Sequence, residues 1–492
     1  MSLTVLSDKQ IWNLLESLTH EEAESLVHSL RNALHEYSTG TQSIKDGVVH
    51  QPERTFIHSK TTGSTTLFMP SYSVLGHAVK VVTLSSASSD TSLPSIRPTG
   101  SLTLYSPEGP PIGFLHAQAL TAFRTALASS CLLVKRSNVH TLTVFGSGLQ
   151  AYWHIRLALM LRGDTIHHVY IINRSFSENA RNMFKTFHGI PQDIKEREGW
   201  EQAQFSLLTP GYGEYDRLQK EHLRAADVIY CCTPSTEDLF DASILTNHEG
   251  RRKGRLIVAV GSYTKQMREL PRELLLQATR THTAGHLHYH RHATEGGVIV
   301  VDTLDGALKE AGEIIEAGLE PKQLVELGEL VMIHRLAKEE EESLTSRSST
   351  DNSSVSETFD KIDPSTQGSA MSSVFGSESG NSGSGNGSRR PSSRSPSRSG
   401  SINSLSLPFH HRRTSSQAGS TEDKQQNKSQ HQQHQQQQQQ QQHDGHLARW
   451  LSTGNVIYKS VGLGLMDLVV GFEIVRLANE RGVGSHIEGF SS

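Results

Sequence analysis

Thr141-Leu-Thr-Val-Phe-Gly146-Ser-Gly148-Leu-Gln150-Ala151 reads as a short buried strand, a glycine turn and the first residues of a helix. Alternating Thr, Leu, Thr and Val end on Phe145, and from Gln150 the apolar residues Trp153, Leu157 and Leu161 recur at helical spacing. A helix N-terminus presents free backbone N–H groups, so a strand–turn–helix of this kind is where a Rossmann fold seats a pyrophosphate. Gly146 suits the tight turn, Gly148 lets backbone approach phosphate, and Ala151 lets the helix pack on the strand. A plain strand-to-helix connection is the competing reading, because G-x-G-x-x-A also arises by chance.

The next apolar run, Val169 to Ile172, has the character of a central parallel strand and is followed by Asn173, Arg174 and Ser175. An NAD site usually carries Asp or Glu there for the ribose hydroxyls. Arginine instead offers a permanently charged fork for a 2′-phosphate. The cofactor expected is therefore NADPH in preference to NADH; a solvated loop arginine is the bland alternative.

Working outward, Ala225–Ser235, Arg255–Tyr263 and Gly297–Asp302 each read as a strand running into a turn. Ligands of open parallel sheets bind beyond the carboxyl ends of strands, which puts Thr233, Ser235, Gly261, Ser262 and Tyr263 on the rim. Before the glycine turn the chain has a different character. Ser7-x-x-Gln10 and Thr19-x-x-Glu22 each precede helically spaced leucines, as capping boxes do, and predict two helices within 1–36. Strands follow at 65–69, 77–84, 101–105 and 112–115, and then a small-residue helix, Leu120 to Ser130, with Arg124 at its middle. An arginine so placed needs an anion: a substrate carboxylate, a cofactor phosphate or an internal carboxylate.

The 492 residues allow more than one domain. A formal charge of −4 gives no whole-chain nucleic-acid signal, and no apolar run reaches the roughly 20 residues of a membrane span. Three cysteines form no disulfide framework and the first residues lack a signal-peptide pattern, so a cytoplasmic location is expected. The histidines between 282 and 292 lack interleaved carboxylates or cysteines, and no metal site is expected. Residues 338–445 turn to Ser, Gly, Asn and finally Gln, a composition unable to bury a core, and read as a disordered insert. Within it Arg389-Arg-Pro-Ser392 and Arg412-Arg-Thr-Ser415 suit a basophilic kinase. Order is expected to resume at Trp450, with a strand at 456–458 and a helix from Ser460 whose Val461, Leu465, Leu468, Phe472 and Val475 form one stripe.

Several of these segments together resemble the ornithine cyclodeaminase/mu-crystallin family: Gln51-Pro-Glu-Arg54, Gly76-His-Ala-Val-Lys80, Leu120-Thr-Ala-Phe-Arg124, Gly146 to Ala151, Val260-Gly261-Ser, Arg268-Glu-Leu270, Val301-Asp302 with Ala307 to Gly312, and Lys459 to Asp467. The resemblance implies an α/β protein: a Rossmann dinucleotide-binding domain at 137–320 and an α+β substrate and dimerisation domain. The latter would be built from 1–136 with the returning segments 321–337 and 446–492, the chain forming a homodimer. It also implies that Arg54, Lys80 and Arg124 hold a substrate carboxylate. The cofactor would be held by Thr121, Gly146, Ser147, Gly148, Leu149, Gln150, Asn173, Arg174, Ser175, Cys232, Thr233, Ser235, Gly261, Ser262, Ser460, Val461 and Gly462. The cyclodeaminases carry a catalytic aspartate where this chain has Tyr263. A reductase of a preformed cyclic imine needs no such base, so the expected activity is NADPH-dependent reduction of a pyrroline- or piperideine-2-carboxylate, with Lys80, Arg124 and Tyr263 as catalytic residues. Ornithine cyclodeamination and NADPH-dependent storage of a small ligand are the two other readings.

Overall fold

In the computed structural model, residues 2–40, 48–85, 96–280, 297–330 and 450–490 are described. The histidine run, both kinase motifs and the insert at 338–445 lie outside them.

Two sheets organise the described chain. The first takes β1 (Leu3–Leu6), β2 (Thr55–Ser59), β3 (Ser64–Ser73), β4 (Gly76–Ser85), β5 (Thr99–Tyr105) and β6 (Pro111–His116). The second takes β7 (Thr141–Phe145), β8 (His168–Ile172), β9 (Gln204–Leu208), β10 (Val228–Cys231), β11 (Leu256–Ala259), β12 (Val298–Val301), β13 (Leu324–Glu326) and β14 (Val456–Lys459). The last strand, β15 (Ser485–Ile487), returns to pair antiparallel with β1, so both chain ends build the first sheet, in the order β15-β1-β6-β5-β4-β3-β2.

The helices before the first long strands are α1 (Asp8–Glu16) and α2 (His20–Thr39), each opened by the predicted capping box, Ser7 with Gln10 and Thr19 with Glu22. Helix α3 (Ala117–Leu133) is buried almost throughout because it lies among α2, α4 (Leu149–Arg162) and the C-terminal helix Gly464–Glu480. The C-terminal helix covers one face of β3 to β6, over Ala78, Leu102, Leu104 and Leu115. A side chain at Gly471 would meet Leu102 Cδ2 at 2.7 Å, so glycine sets how closely helix and sheet approach.

The second sheet is parallel throughout, in the order β13-β12-β14-β11-β10-β7-β8-β9. The order reverses between β7 and β10, the switch point beside which a doubly wound sheet opens its ligand crevice. Two boundaries differ from the sequence reading. Strand β14, assigned to the substrate domain, inserts between β11 and β12, and β13 pairs with β12. The four residues of β14 are all buried, and only a central position in this sheet satisfies their ladder. The C-terminal helix begins at Gly464 rather than Ser460, because Asp302 captures the N–H groups of Val461 and Gly462 (2.9 and 2.8 Å) and Gly462 takes φ +85°. Val461 accordingly leaves the helical stripe.

Candidate active site

The turn after β7 has the form the sequence requires. Gly146 takes φ +104°, and a side chain there would press on Cys232 O (3.0 Å) and the Thr233 methyl (3.1 Å) at the end of β10. Gly148 precedes α4 with no side-chain cap, and a Cβ on it would meet nothing within 4 Å. The helix start is therefore open to an anion, with Ser147, Leu149 and Gln150 beside it. Gln150 Oε1 is buried without a partner among the described residues. Thr121 lies on α3, one turn before Arg124, with its carbonyl accepting from Thr125.

Beyond β8, Asn173 is held by its amide to Ser175 O at 2.7 Å and Ser177 Oγ at 3.3 Å. Arg174 is exposed and has no ion pair among the described residues. The next side chain, Phe176, is 64% exposed.

The rim of β10 and β11 is tied together by a residue absent from the expected set. Glu269 is buried and accepts from the N–H groups of Thr233 (2.7 Å), Gly261 (2.7 Å) and Ser262 (3.2 Å), pulling the two strand ends together. Burial raises its pKa to about 7, with the Lys459 charge opposing. Gly261 is obligatory here, since a Cβ would lie 2.1 Å from Thr233 O. Ser262 Oγ donates to Glu313 at 2.6 Å, and Lys459 reaches both Ser262 and, at 3.4 Å, Glu313. Thr233, Gly261 and Ser262 thus spend these backbone donors inward, and Ser235 closes a local turn with Glu237. Ser460 behaves likewise: its hydroxyl joins Val461 and Gly462 on Asp302, which also accepts from Tyr458. This loop is bound to the end of β12 through its backbone, and those donors are not free for a cofactor. Tyr263 follows Ser262 and is 37% exposed; burial raises its phenol's pKa, which suits a hydrogen-bond donor and not a base.

Against the 460–463 loop lies the cationic cluster. Lys80, on the helix-covered face of β4, and Arg124, on α3, converge on Asp467 in the first turn of the C-terminal helix. Lys80 Nζ is 2.6 Å from Oδ2 and Arg124 Nε 3.1 Å from Oδ1, with Asp467 fully buried. Of the partners the sequence left open for Arg124, the structure contains the internal carboxylate. Gly462 allows the guanidinium against the backbone, for a Cβ there would sit 2.8 Å from Nη2. Burial lowers the Lys80 pKa to about 8; Asp467 opposes the shift and the Arg124 and Arg54 charges reinforce it. Arg54 forms an ion pair with Glu310, and burial and Arg124 lower its pKa. Arg54, Lys80 and Arg124 therefore occupy one electrostatic neighbourhood at the carboxyl edge of the parallel sheet. The residues that sequence reasoning missed are carboxylates: Asp467, Asp302, Glu269 and Glu310 lay within motifs already noticed, whereas Glu313 had no signal of its own. Among the described residues no group of His, Cys, Asp and Glu could hold a metal ion.

An open parallel sheet with an uncapped glycine turn at its switch point has the architecture of a Rossmann fold. The sequence profile of the ornithine cyclodeaminase/mu-crystallin family matches residues 14–195 of this chain. An uncharacterized protein of Saccharomyces cerevisiae is 29% identical over 47% of this chain and 63% of its own length. The ketimine reductase mu-crystallin of Mus musculus is 28% identical over 62% of this chain and 81% of its own. In fold, the chain matches the Thermococcus litoralis Δ1-pyrroline-2-carboxylate reductase solved with NADH and L-proline (TM-score 0.55, 17% identity, 98% of this chain and 99% of that one). It also matches an archaeal alanine dehydrogenase dimer with bound NAD (TM-score 0.55, 16% identity, 100% of both chains).

Proposed function

We propose that this chain is an NADPH-dependent reductase of cyclic ketimines of the pyrroline- or piperideine-2-carboxylate type. The observation that carries the reading is the cluster of Arg54, Lys80 and Arg124, in a chain whose glycine turn leaves a helix start open to an anion, with Tyr263 where a lyase would need a carboxylate. Directly paired, three cations face two carboxylates, Asp467 and Glu310, which leaves one positive charge for a substrate carboxylate. The similarity to mu-crystallin ketimine reductases supports the same chemistry.

The uncapped turn Gly146–Gly148 would take the pyrophosphate, and Arg174 the 2′-phosphate. The bound nicotinamide would supply the hydride. Lys80 and Arg124, fixed through Asp467, would clamp the carboxylate and so set the plane of the ring C=N. Reduction also adds a proton at nitrogen, and Lys80, with its pKa near 8, holds one at this spot close to neutral pH. Tyr263 would donate a hydrogen bond from the rim. Domain boundaries follow the sheets, with 137–326 and β14 as cofactor domain and the remaining described residues as substrate domain. The uncovered face of the first sheet would make the homodimer contact, and the three free, buried cysteines suit the cytoplasm.

Purified protein given each cyclic imine with NADPH or NADH tests the reading. Consumption of reduced cofactor with formation of the cyclic amino acid is expected, faster with NADPH. Arg174→Ala should weaken NADPH by about tenfold or more, the worth of one charge-assisted pair, and leave NADH unchanged. Ammonia release from ornithine without imine reduction would return the chain to the lyases.

A further inference from the structure

The three cations are not paired alike. Asp467, shared by Lys80 and Arg124, is wholly buried and belongs to the permanent frame. Arg54 instead meets Glu310, with 24% and 29% of the two side chains exposed. Arg54 stands just before β2, while Glu310 is the last residue of the helix Leu304–Glu310 beyond β12, so the pair joins the substrate layer to the cofactor layer. A second, more exposed pair lies alongside, Glu53 with Lys309, which also holds Asp305 at 2.9 Å.

On the reading that Arg54 binds the substrate carboxylate, we propose that Glu310 is a specificity-determining residue: its carboxylate occupies the Arg54 guanidinium until an incoming carboxylate displaces it. Glu310 takes Nη2 of Arg54, the donor shared by the side-on (Nε, Nη2) and end-on (Nη1, Nη2) forks, so a substrate carboxylate that seeks either bidentate edge competes with it. An acid able to engage all three cations overcomes that competition. A carboxylate that reaches Arg54 alone does not. Once displaced, the Glu310 charge stays near the mouth of the site and repels a second carboxylate on the substrate. The residue thus selects monocarboxylic imines over dicarboxylic ones.

The test is steady-state kinetics of the full-length Glu310→Gln, Arg54→Ala and Glu53→Gln proteins, with thermal melting as a check on folding. Glu310→Gln should lower KM for the cyclic imine several-fold at unchanged kcat, and should raise kcat/KM for a dicarboxylic imino acid by a larger factor. A purely structural contact would instead raise KM or lower kcat when broken. Glu53→Gln should leave KM where it was; an equal drop in that variant would assign the effect to a loosened helix and overturn the proposal. Arg54→Ala separates this inference from the reading beneath it. If Arg54→Ala leaves KM unchanged, Arg54 does not bind substrate and both fall. If it raises KM about tenfold or more while Glu310→Gln lowers nothing, only the role of Glu310 falls.

Discussion

At the scale of single residues, Lys80 shows how burial converts a common side chain into a site. Water is withheld from its ammonium and two guanidinium charges stand nearby, which together outweigh Asp467 and bring the pKa from 10.5 to about 8. The unfolded chain therefore binds more protons than the folded one between about pH 8 and 10.5, so the Lys80 contribution to stability rises with pH across that window. On the proposed function the effect runs the other way: the proton and the Lys80 part of the carboxylate clamp would be lost above about pH 8. The expected kcat/KM profile falls on its alkaline side near pH 8, and Lys80→Arg should move that limb upward by more than one unit. A limb that stays in place would assign it to another group. Asp467→Asn should be severe, about 3–5 kcal/mol in stability, because it strands two buried cations; denaturant unfolding measures this. Lys80 was legible through the family resemblance, and Arg124 in the sequence as a cation within a small-residue helix. Their shared counter-ion was not, because it lies 387 and 343 residues further along the chain. Sequence reports what a side chain can do, and only the fold reports what it is spent on, as Thr233, Gly261 and Ser262 with Glu269 also demonstrate.

At the scale of elements, the strand–turn–helix from Thr141 was readable because local periods and glycines determine it. The two capping boxes at Ser7 and Thr19 were readable for the same reason. Elements governed from a distance were misread: β14 looks like any buried strand, and its place between β11 and β12 depends on where the chain returns after residue 330. The start of the C-terminal helix depends on Asp302 reaching back for two N–H groups. The glycine turn offers a prediction in which two similar substitutions part company. Gly146→Ala places a Cβ against Cys232 and Thr233 at a φ of +104°, so it should lower the melting temperature as well as dinucleotide affinity. Gly148 has φ −88° and open space around it, so Gly148→Ala should leave melting nearly unchanged and reduce only cofactor affinity. Calorimetric melting paired with a cofactor titration reads both. Equal dinucleotide binding in wild type and Gly148→Ala would mean that the pyrophosphate does not approach this backbone.

At the scale of the whole molecule, the first sheet poses a problem that one chain does not solve. Its helix-covered face buries Ala78, Leu102, Leu104 and Leu115. The register of β3 to β6 turns Phe68, Pro70, Tyr72, Val79, Val81, Tyr105 and Phe114 to the other side, with His77, Ser101 and Thr103 among them. Among the described residues no helix covers that side, and Tyr72 and Phe114 remain 41% and 45% exposed. A sheet face that carries this many apolar and aromatic side chains with no helix over it suits an interface, the polar residues among them supplying its hydrogen bonds. A second copy placed by a two-fold axis would bring the same patch against itself. The protein is therefore expected to run in light scattering at twice its 54.2 kDa. Replacing Val79 and Phe114 together by Asp would put like charges into the centre of that interface, and the double variant should run as a monomer. Tyr212→Asp, on an aromatic that is 57% exposed and stands in the cofactor domain, serves as the matched control and should remain dimeric. Because Lys80 lies on the strand that carries Val79, separating the copies should also weaken substrate binding, with cofactor affinity preserved since the glycine turn belongs to the other sheet. A double variant that keeps the wild-type mass, or a wild-type protein that is already monomeric, would leave this face without the partner argued for it.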